Sequence, residues 1–303
     1  MPQANTARFR GSNTALITPF SNGQVDDAAF VRLVEWQINE GTHGLVPTGT
    51  TGESPTLNHD EHKHVIELCI KTARGRVPVI AGTGSNSTDE AIELSQYAQA
   101  AGADAVLVVT PYYNKPTQEG LFLHYRAIAE STDLPIVVYN VPGRAGVNVE
   151  PSTLARLSAL PNIVGVKEAS GNITQMCEVC RVVPSDFIVL SGDDAITLPL
   201  MAVGGKGVIS VASNEIPADM VEMVQAGLRG DFATARAVHH RILPLMQINF
   251  VESNPVPVKA AMAAMGLLEE TFRLPMCSPT PASREKIVHV LKELQLLKPV
   301  YAG

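Results

Sequence analysis

Long apolar runs are missing from this 303-residue chain, and none approaches the ~20 residues that a bilayer-spanning helix requires. Basic clusters are missing too. Lysine and arginine together number 23 against 30 acidic residues, a formal net charge of -7. Such a balance disfavours nucleic acid as a partner, although it says nothing about the charge of a single pocket. Cysteine is sparse: Cys69, Cys177, Cys180 and Cys277. These fit buried or free thiols in a reducing compartment. Cys177 and Cys180 form a lone CxxC in MCEVCRVV. A redox or zinc role would need a suitable turn or a second ligand pair, so two helix residues one turn apart is the plainer reading. The opening stretch MPQANTARFRGSNTAL has no apolar centre of signal-peptide type. The expectation is a cytoplasmic protein with no membrane contact.

What the chain does have is an ordinary globular composition, 45% apolar and 17% charged. Short apolar, β-branched runs recur at 14–19, 44–48, 77–83, 105–111, 135–141, 163–169, 187–192 and 207–213. Each is nearly continuous rather than alternating, as in parallel strands covered on both faces. Helical stretches lie between them. Over 27–40, Phe30, Leu33, Val34 and Ile38 share one stripe, and over 59–74 Val65, Leu68 and Cys69 do. Gly41, Gly75 and Gly102 follow helical stretches, the usual place for a C-terminal glycine. Eight βα units predict a closed (β/α)8 TIM barrel, of class α/β. From 217 onward the periodicity is helical, punctuated by prolines. The expected division is a barrel domain over 1–230 and a small C-terminal helical domain over 231–303.

Barrel enzymes gather their chemistry where strands end in the C-terminal direction. The ends here read GTTGES (49–54), TPYYNKP (110–116), YNVPGR (139–144), VKEASGN (166–172), SGDD (191–194) and GVIS (207–210). Lys167 is the outlier, a lysine inside an apolar strand. Lysine is rarely buried unless paired or used. Desolvation favours its neutral amine, which can attack a carbonyl. The alternative is a structural lysine paired with a carboxylate such as Glu168. GTTGES could grip a carboxylate through hydroxyls and backbone N–H groups, or be a plain turn. Tyr139 could relay protons or simply pack. Arg144 could fork a carboxylate or be a solvated loop residue. Their convergence on one rim is stronger than any one alone.

These motifs, taken with TPF (18–20), AGTGSN, GGKGVISV and NPVPVK (254–259), run in order along nearly the whole chain. The chain resembles the pyruvate-dependent superfamily that includes N-acetylneuraminate lyase and, more specifically, its dihydrodipicolinate synthase family. The arginine of YNVPGR is the discriminating feature. The resemblance implies an imine and then an enamine of pyruvate on Lys167, with Thr51 holding the pyruvate carboxylate. It implies a proton relay of Thr50, Tyr139 and Tyr113, the last donated by a neighbouring subunit. Arg144 would bind L-aspartate 4-semialdehyde, the second substrate, and the backbones of Gly192 and Ile209 would line the pocket. The implied step lies on the diaminopimelate route to lysine. It calls for no metal and no organic cofactor, and the implied assembly is a homotetramer built as a dimer of dimers.

The segment LNHDEHKHVIE (57–67) predicts a helix start, with Asn58 as N-cap and Glu61 completing a capping box. His59 and His62 share one face of it. That face can be solvated and polar, or a metal site short of ligands. The resemblance implies a third role, binding of the inhibitor L-lysine by Ser54, His59, His62, Asn86, Glu90 and Tyr112. Pro55 stands there where a small residue is common. Two other functional readings compete with the synthase. One is a class I aldolase of a 2-keto-3-deoxy sugar acid, against which Arg144 argues. The other is a non-enzymatic keto-acid sensor, against which the complete Lys–Tyr–Thr set argues.

Overall fold

The computed structural model describes residues 6–297. Eight parallel strands make one sheet: β1 (Gly11–Ala15), β2 (Gly44–Val46), β3 (Ile80–Gly82), β4 (Ala105–Val109), β5 (Ile136–Asn140), β6 (Ile163–Glu168), β7 (Ile188–Ser191) and β8 (Gly207–Ser210). Each strand pairs with its neighbour in the chain, and β1 also pairs with β8. A parallel bridge from Leu45 to Val79 joins β2 to the approach of β3 and closes the ring. Eight helices wrap it: α1 (Asp27–Asn39), α2 (His59–Ala73), α3 (Thr88–Ala101), α4 (Gln118–Ser131), α5 (Pro151–Leu157), α6 (Ile173–Val182), α7 (Thr197–Ala202) and α8 (Pro217–Leu228). This is a (β/α)8 TIM barrel, as the strand pattern predicts.

The near-continuous apolarity of the strands has a simple cause. Leu107, Val137, Leu190 and Ile209 pack inside the barrel. Val106, Val108, Val138 and Val189 pack outward under the helices. Both faces are dry, so both are apolar.

β1 differs from its expected span. The apolar run suggests 14–19, yet the strand is Gly11–Ala15 and contains Ser12, Asn13 and Thr14. Two of these buried polar residues are partnered through their side chains: Asn13 Nδ2 donates to the Phe9 carbonyl at 3.0 Å, and Thr14 Oγ1 to Gln37 Oε1 at 2.7 Å. Hydrogen bonding removes the penalty that hydropathy alone would assign.

Helix ends follow their side chains. Asn58 Oδ1 accepts from Glu61 N at 2.9 Å, and Glu61 Oε2 accepts from Asn58 N at 3.0 Å, completing the capping box of α2. Cys177 and Cys180 both lie within α6, as the plainer reading has it. Three further helices follow: α9 (Phe232–Ile248), α10 (Val256–Ala264) and α11 (Pro281–Glu293). Ile242, Leu245, Ala260 and Ile287 from these share one apolar cluster with Val208, Met220 and Val224 of the barrel. The C-terminal helices are therefore packed onto the β8 side of the barrel. Among the described residues, no helix is long and apolar enough to cross a membrane.

Candidate active site

The site begins with a register slip. At its start β5 pairs Ile136 with Ile163, but the next pair is Val137 with Gly165, one residue further along β6. Without that slip Tyr139 would face Val166. With it, Tyr139 pairs with Lys167 and Asn140 with Glu168. Because side chains alternate with period two, a slip of one residue moves a side chain to the other face of a strand. Tyr139 belongs to the barrel interior, so Lys167 is brought inside beside it. Its Nζ lies 4.2 Å from the centre of the Tyr139 ring, and the residue is only 5% exposed. Glu168 is occupied elsewhere, accepting from Asn140 Nδ2 at 2.9 Å and from Ser170 N at 2.8 Å. The structural alternative, a Lys167–Glu168 pair, is not what the fold builds.

Gly192 adjoins the lysine. A Cβ there would lie 2.7 Å from Ala169 Cβ and 3.1 Å from Lys167 Cε and Cγ, so the position has no room for a side chain. Ile209 is buried in the same interior cluster as Tyr139.

Two non-glycine residues of this loop region are left-handed, Thr48 (φ 54) just before GTTGES and Glu53 (φ 54) within it. That conformation is costly and persists only where surrounding contacts impose it. Thr48 Oγ1 donates to the Gly82 carbonyl at 2.9 Å, and a Cβ on Gly82 would strike Thr48 O at 2.4 Å. Thr51 is buried and its Oγ1 accepts from Asn254 Nδ2 at 3.1 Å. Arg144 sits on a one-turn helix, Pro142–Ala145, and Nη2 donates to the Asn254 carbonyl at 3.1 Å.

A cavity of about 490 Å³ opens over these elements. Thr50, Tyr139 and Arg144 line it, and so do Ser54, His59, His62, Glu90 and Tyr112. Thr51, Lys167, Gly192 and Ile209 are not in its wall; Thr51 adjoins the lining Thr50, and Lys167 lies against the lining Tyr139. His59 Nε2 is 3.1 Å from Glu90 Oε1, and Ser85 donates to the other Glu90 oxygen. His62 Nε2 is 2.8 Å from the Gly82 carbonyl. A carbonyl only accepts, so that nitrogen carries the proton. Burial draws the His62 pKa below its usual value, with the Gly82 hydrogen bond opposing. Asn86 does not line the cavity; its carbonyl accepts from Asn114 Nδ2 at 2.9 Å. Tyr113 lies apart from these groups, 89% exposed and left-handed at φ 73.

The family model described as the dihydrodipicolinate synthetase family matches residues 8–294. The chain belongs to that family. Among its relatives is the 4-hydroxy-tetrahydrodipicolinate synthase of Thermodesulfovibrio yellowstonii, 52% identical over 96% of this chain and 100% of that one. The crystal structure of dihydrodipicolinate synthase from Aquifex aeolicus superposes with a TM-score of 0.95 at 46% identity, covering 96% of this chain and 100% of that one. The crystal structure of DHDPS from Cyanidioschyzon merolae with lysine bound gives 0.93 at 40% identity, covering 96% and 99%. Like these members of the dihydrodipicolinate synthetase family, the chain is an enzyme.

Asn254 and Lys259 lie outside a scan confined to strand ends, and Glu53, inside GTTGES, carries no assigned role there. Glu53 and Lys259 form a fully buried ion pair. The signal was available, since VPVKAAMAA places a lysine in an apolar helix just as IVGVKEA places one in an apolar strand.

Proposed function

We propose that the chain condenses pyruvate with L-aspartate 4-semialdehyde, giving the 4-hydroxy-tetrahydrodipicolinate for which its relatives are named, on the diaminopimelate route to lysine. The observation that carries this is the register slip that brings Lys167 inside the barrel, against the Tyr139 ring and away from any carboxylate of its own strand. A buried amine of this kind is suited to attack a ketone. Its lone pair adds to the pyruvate C2 carbon, and water leaves as the imine forms. Loss of a methyl proton gives the enamine. The enamine carbon then bonds to the aldehyde carbon of the second substrate, whose oxygen takes up a proton. The amino group of that adduct attacks the imine carbon, closes the ring and releases Lys167.

In this reading Tyr139, Thr50 and Tyr113 move the protons. Thr51 holds the pyruvate carboxylate, and Gly192 and Ile209 border the imine. Arg144, exposed beside the cavity, takes the carboxylate of the semialdehyde, where a guanidinium forks two oxygens. Tyr113 is strained and exposed in one protomer, which supports its donation to a second. A homotetramer in the cytoplasm follows from the same reading. L-lysine would occupy the part of the cavity around Glu90, whose carboxylate would meet its ammonium; the lysine-bound relative supports this.

Borohydride reduction with pyruvate tests the reading. A reduced adduct should map to Lys167 and vanish in Lys167→Ala. An adduct elsewhere, or none, overturns the mechanism.

A further inference from the structure

Away from the reacting groups, Glu53 and Lys259 form a deeply buried ion pair. Their side chains are 1% and 0% exposed, and Lys259 Nζ lies 2.5 Å from Glu53 Oε1. The ammonium also sits 4.2 Å from the centre of the Phe20 ring and 5.6 Å from that of Phe272. Burial draws the Lys259 pKa down, and the Glu53 carboxylate pulls it back up. A buried ion pair is a poor way to add stability, because desolving two charges consumes most of their attraction. It does impose direction and distance, which apolar packing does not.

What it directs is the GTTGES loop. Glu53 stands two residues after Thr51, and its N–H donates to the Thr50 carbonyl at 3.1 Å. The loop residues Gly49, Thr50, Thr51 and Gly52 have little apolar surface with which to fix themselves. On the other side, Lys259 belongs to α10, and the approach to α10 carries Asn254. The Asn254 side-chain amide donates to Thr51 Oγ1, while the Asn254 main-chain carbonyl accepts from Arg144, both at 3.1 Å. The short segment 254–259 therefore grips the loop at two points and Arg144 at a third. With one lone pair of Thr51 Oγ1 held by Asn254, the hydroxyl hydrogen is turned away from that amide and free for an acceptor in the site.

We propose that Lys259 is a positioning residue, which through Glu53 holds the Thr50–Thr51 turn in the geometry that grips the keto-acid carboxylate. The inference rests on the reading of that turn as the pyruvate-holding element. It makes a C-terminal helix part of the catalytic apparatus without touching substrate.

The test is a double-mutant cycle of Glu53→Gln, Lys259→Met and both together. KM for each substrate, kcat, thermal midpoint and borohydride trapping with pyruvate are measured in each. In the single variants the pyruvate KM should rise about tenfold or more, while the semialdehyde KM stays within about threefold. Trapping at saturating pyruvate should still label Lys167. The double variant should bind pyruvate no worse than Lys259→Met, because the two charges act as one unit. A pyruvate KM within about twofold of the parent in every folded variant, with only the thermal midpoint lowered, overturns the inference. Should Lys259→Met fail to fold, Glu53→Gln decides alone, since it keeps the shape and a hydrogen-bond acceptor. A parent chain that traps no pyruvate sinks the pyruvate reading and this inference together. Unchanged KM values on a parent that does trap sink this inference alone.

Discussion

Lys167 and Tyr139 face each other across β5 and β6, with the amine 4.2 Å from the ring centre. That proximity separates two roles that can be measured separately. In the proposed mechanism the amine forms the imine, and the phenol moves protons. Tyr139→Phe keeps the ring and removes the hydroxyl. Its kcat should fall roughly 100-fold or more, the scale of a lost general acid–base group, while reduced pyruvate still accumulates on Lys167. Rapid-quench trapping distinguishes this from loss of binding; an unaltered kcat would remove Tyr139 from the relay. Gly192 makes the complementary case. Its added methyl would stand 3.1 Å from Lys167 Cε and 2.7 Å from Ala169 Cβ. Gly192→Ala should slow imine formation and also lower the thermal midpoint, because the crowding falls on the fixed Ala169 Cβ as well as on the lysine arm. Trapping kinetics equal to those of the parent would show that the arm has room to yield.

At the scale of elements, apolarity marks the strands well except where polar residues are partnered. β1 is the instructive case: Asn13 and Thr14 are buried through hydrogen bonds to groups distant in sequence or on another element, and no local pattern announces them. α4 carries a second such residue. His124 is buried, its Nδ1 2.9 Å from Thr88 Oγ1, and burial lowers its pKa to about 4. The native state thus holds His124 neutral while the unfolded chain titrates near the ordinary 6.5. Its contribution to stability is fully present above pH 6.5 and is lost as pH falls from there towards 4, because the unfolded state binds the proton first. The fall from 6.5 to about 4 corresponds to roughly 3 kcal/mol. His124→Asn should therefore flatten the decline of the thermal midpoint between pH 6.5 and 4. A decline as steep as the parent's would mean that other groups carry it.

For the whole molecule, Tyr113 raises the question of assembly. It is exposed, held at a left-handed φ of 73, and not part of the cavity wall that holds Tyr139 and Thr50. If it serves a neighbour's site, two inactive variants should rescue each other. Mixing Tyr113→Phe with Lys167→Ala after dissociation should restore roughly a quarter of the sites by random pairing in a twofold dimer. No recovery would confine each site to one chain. The shared cavity carries the other prediction at this scale. Calorimetry with millimolar L-lysine should give binding to the parent chain and none to Glu90→Ala. Absence of binding to the parent removes the inhibitor reading.

Much of this was legible in one dimension. Eight apolar runs, glycines after helices, the Asn58–Glu61 box and the rim motifs all express local rules, and local rules act between neighbours in the chain. By itself the sequence determined the barrel, the helix starts and the isolation of Lys167 in an apolar strand. Tertiary structure alone decided which face that lysine takes, because a one-residue slip between β5 and β6 reverses every side chain beyond it. It alone joined Glu53 to Lys259 and Asn254 to Thr51 across more than 200 residues. Such pairs depend on where the closed ring and its C-terminal helices bring the chain back upon itself, and no periodicity along the backbone encodes that return.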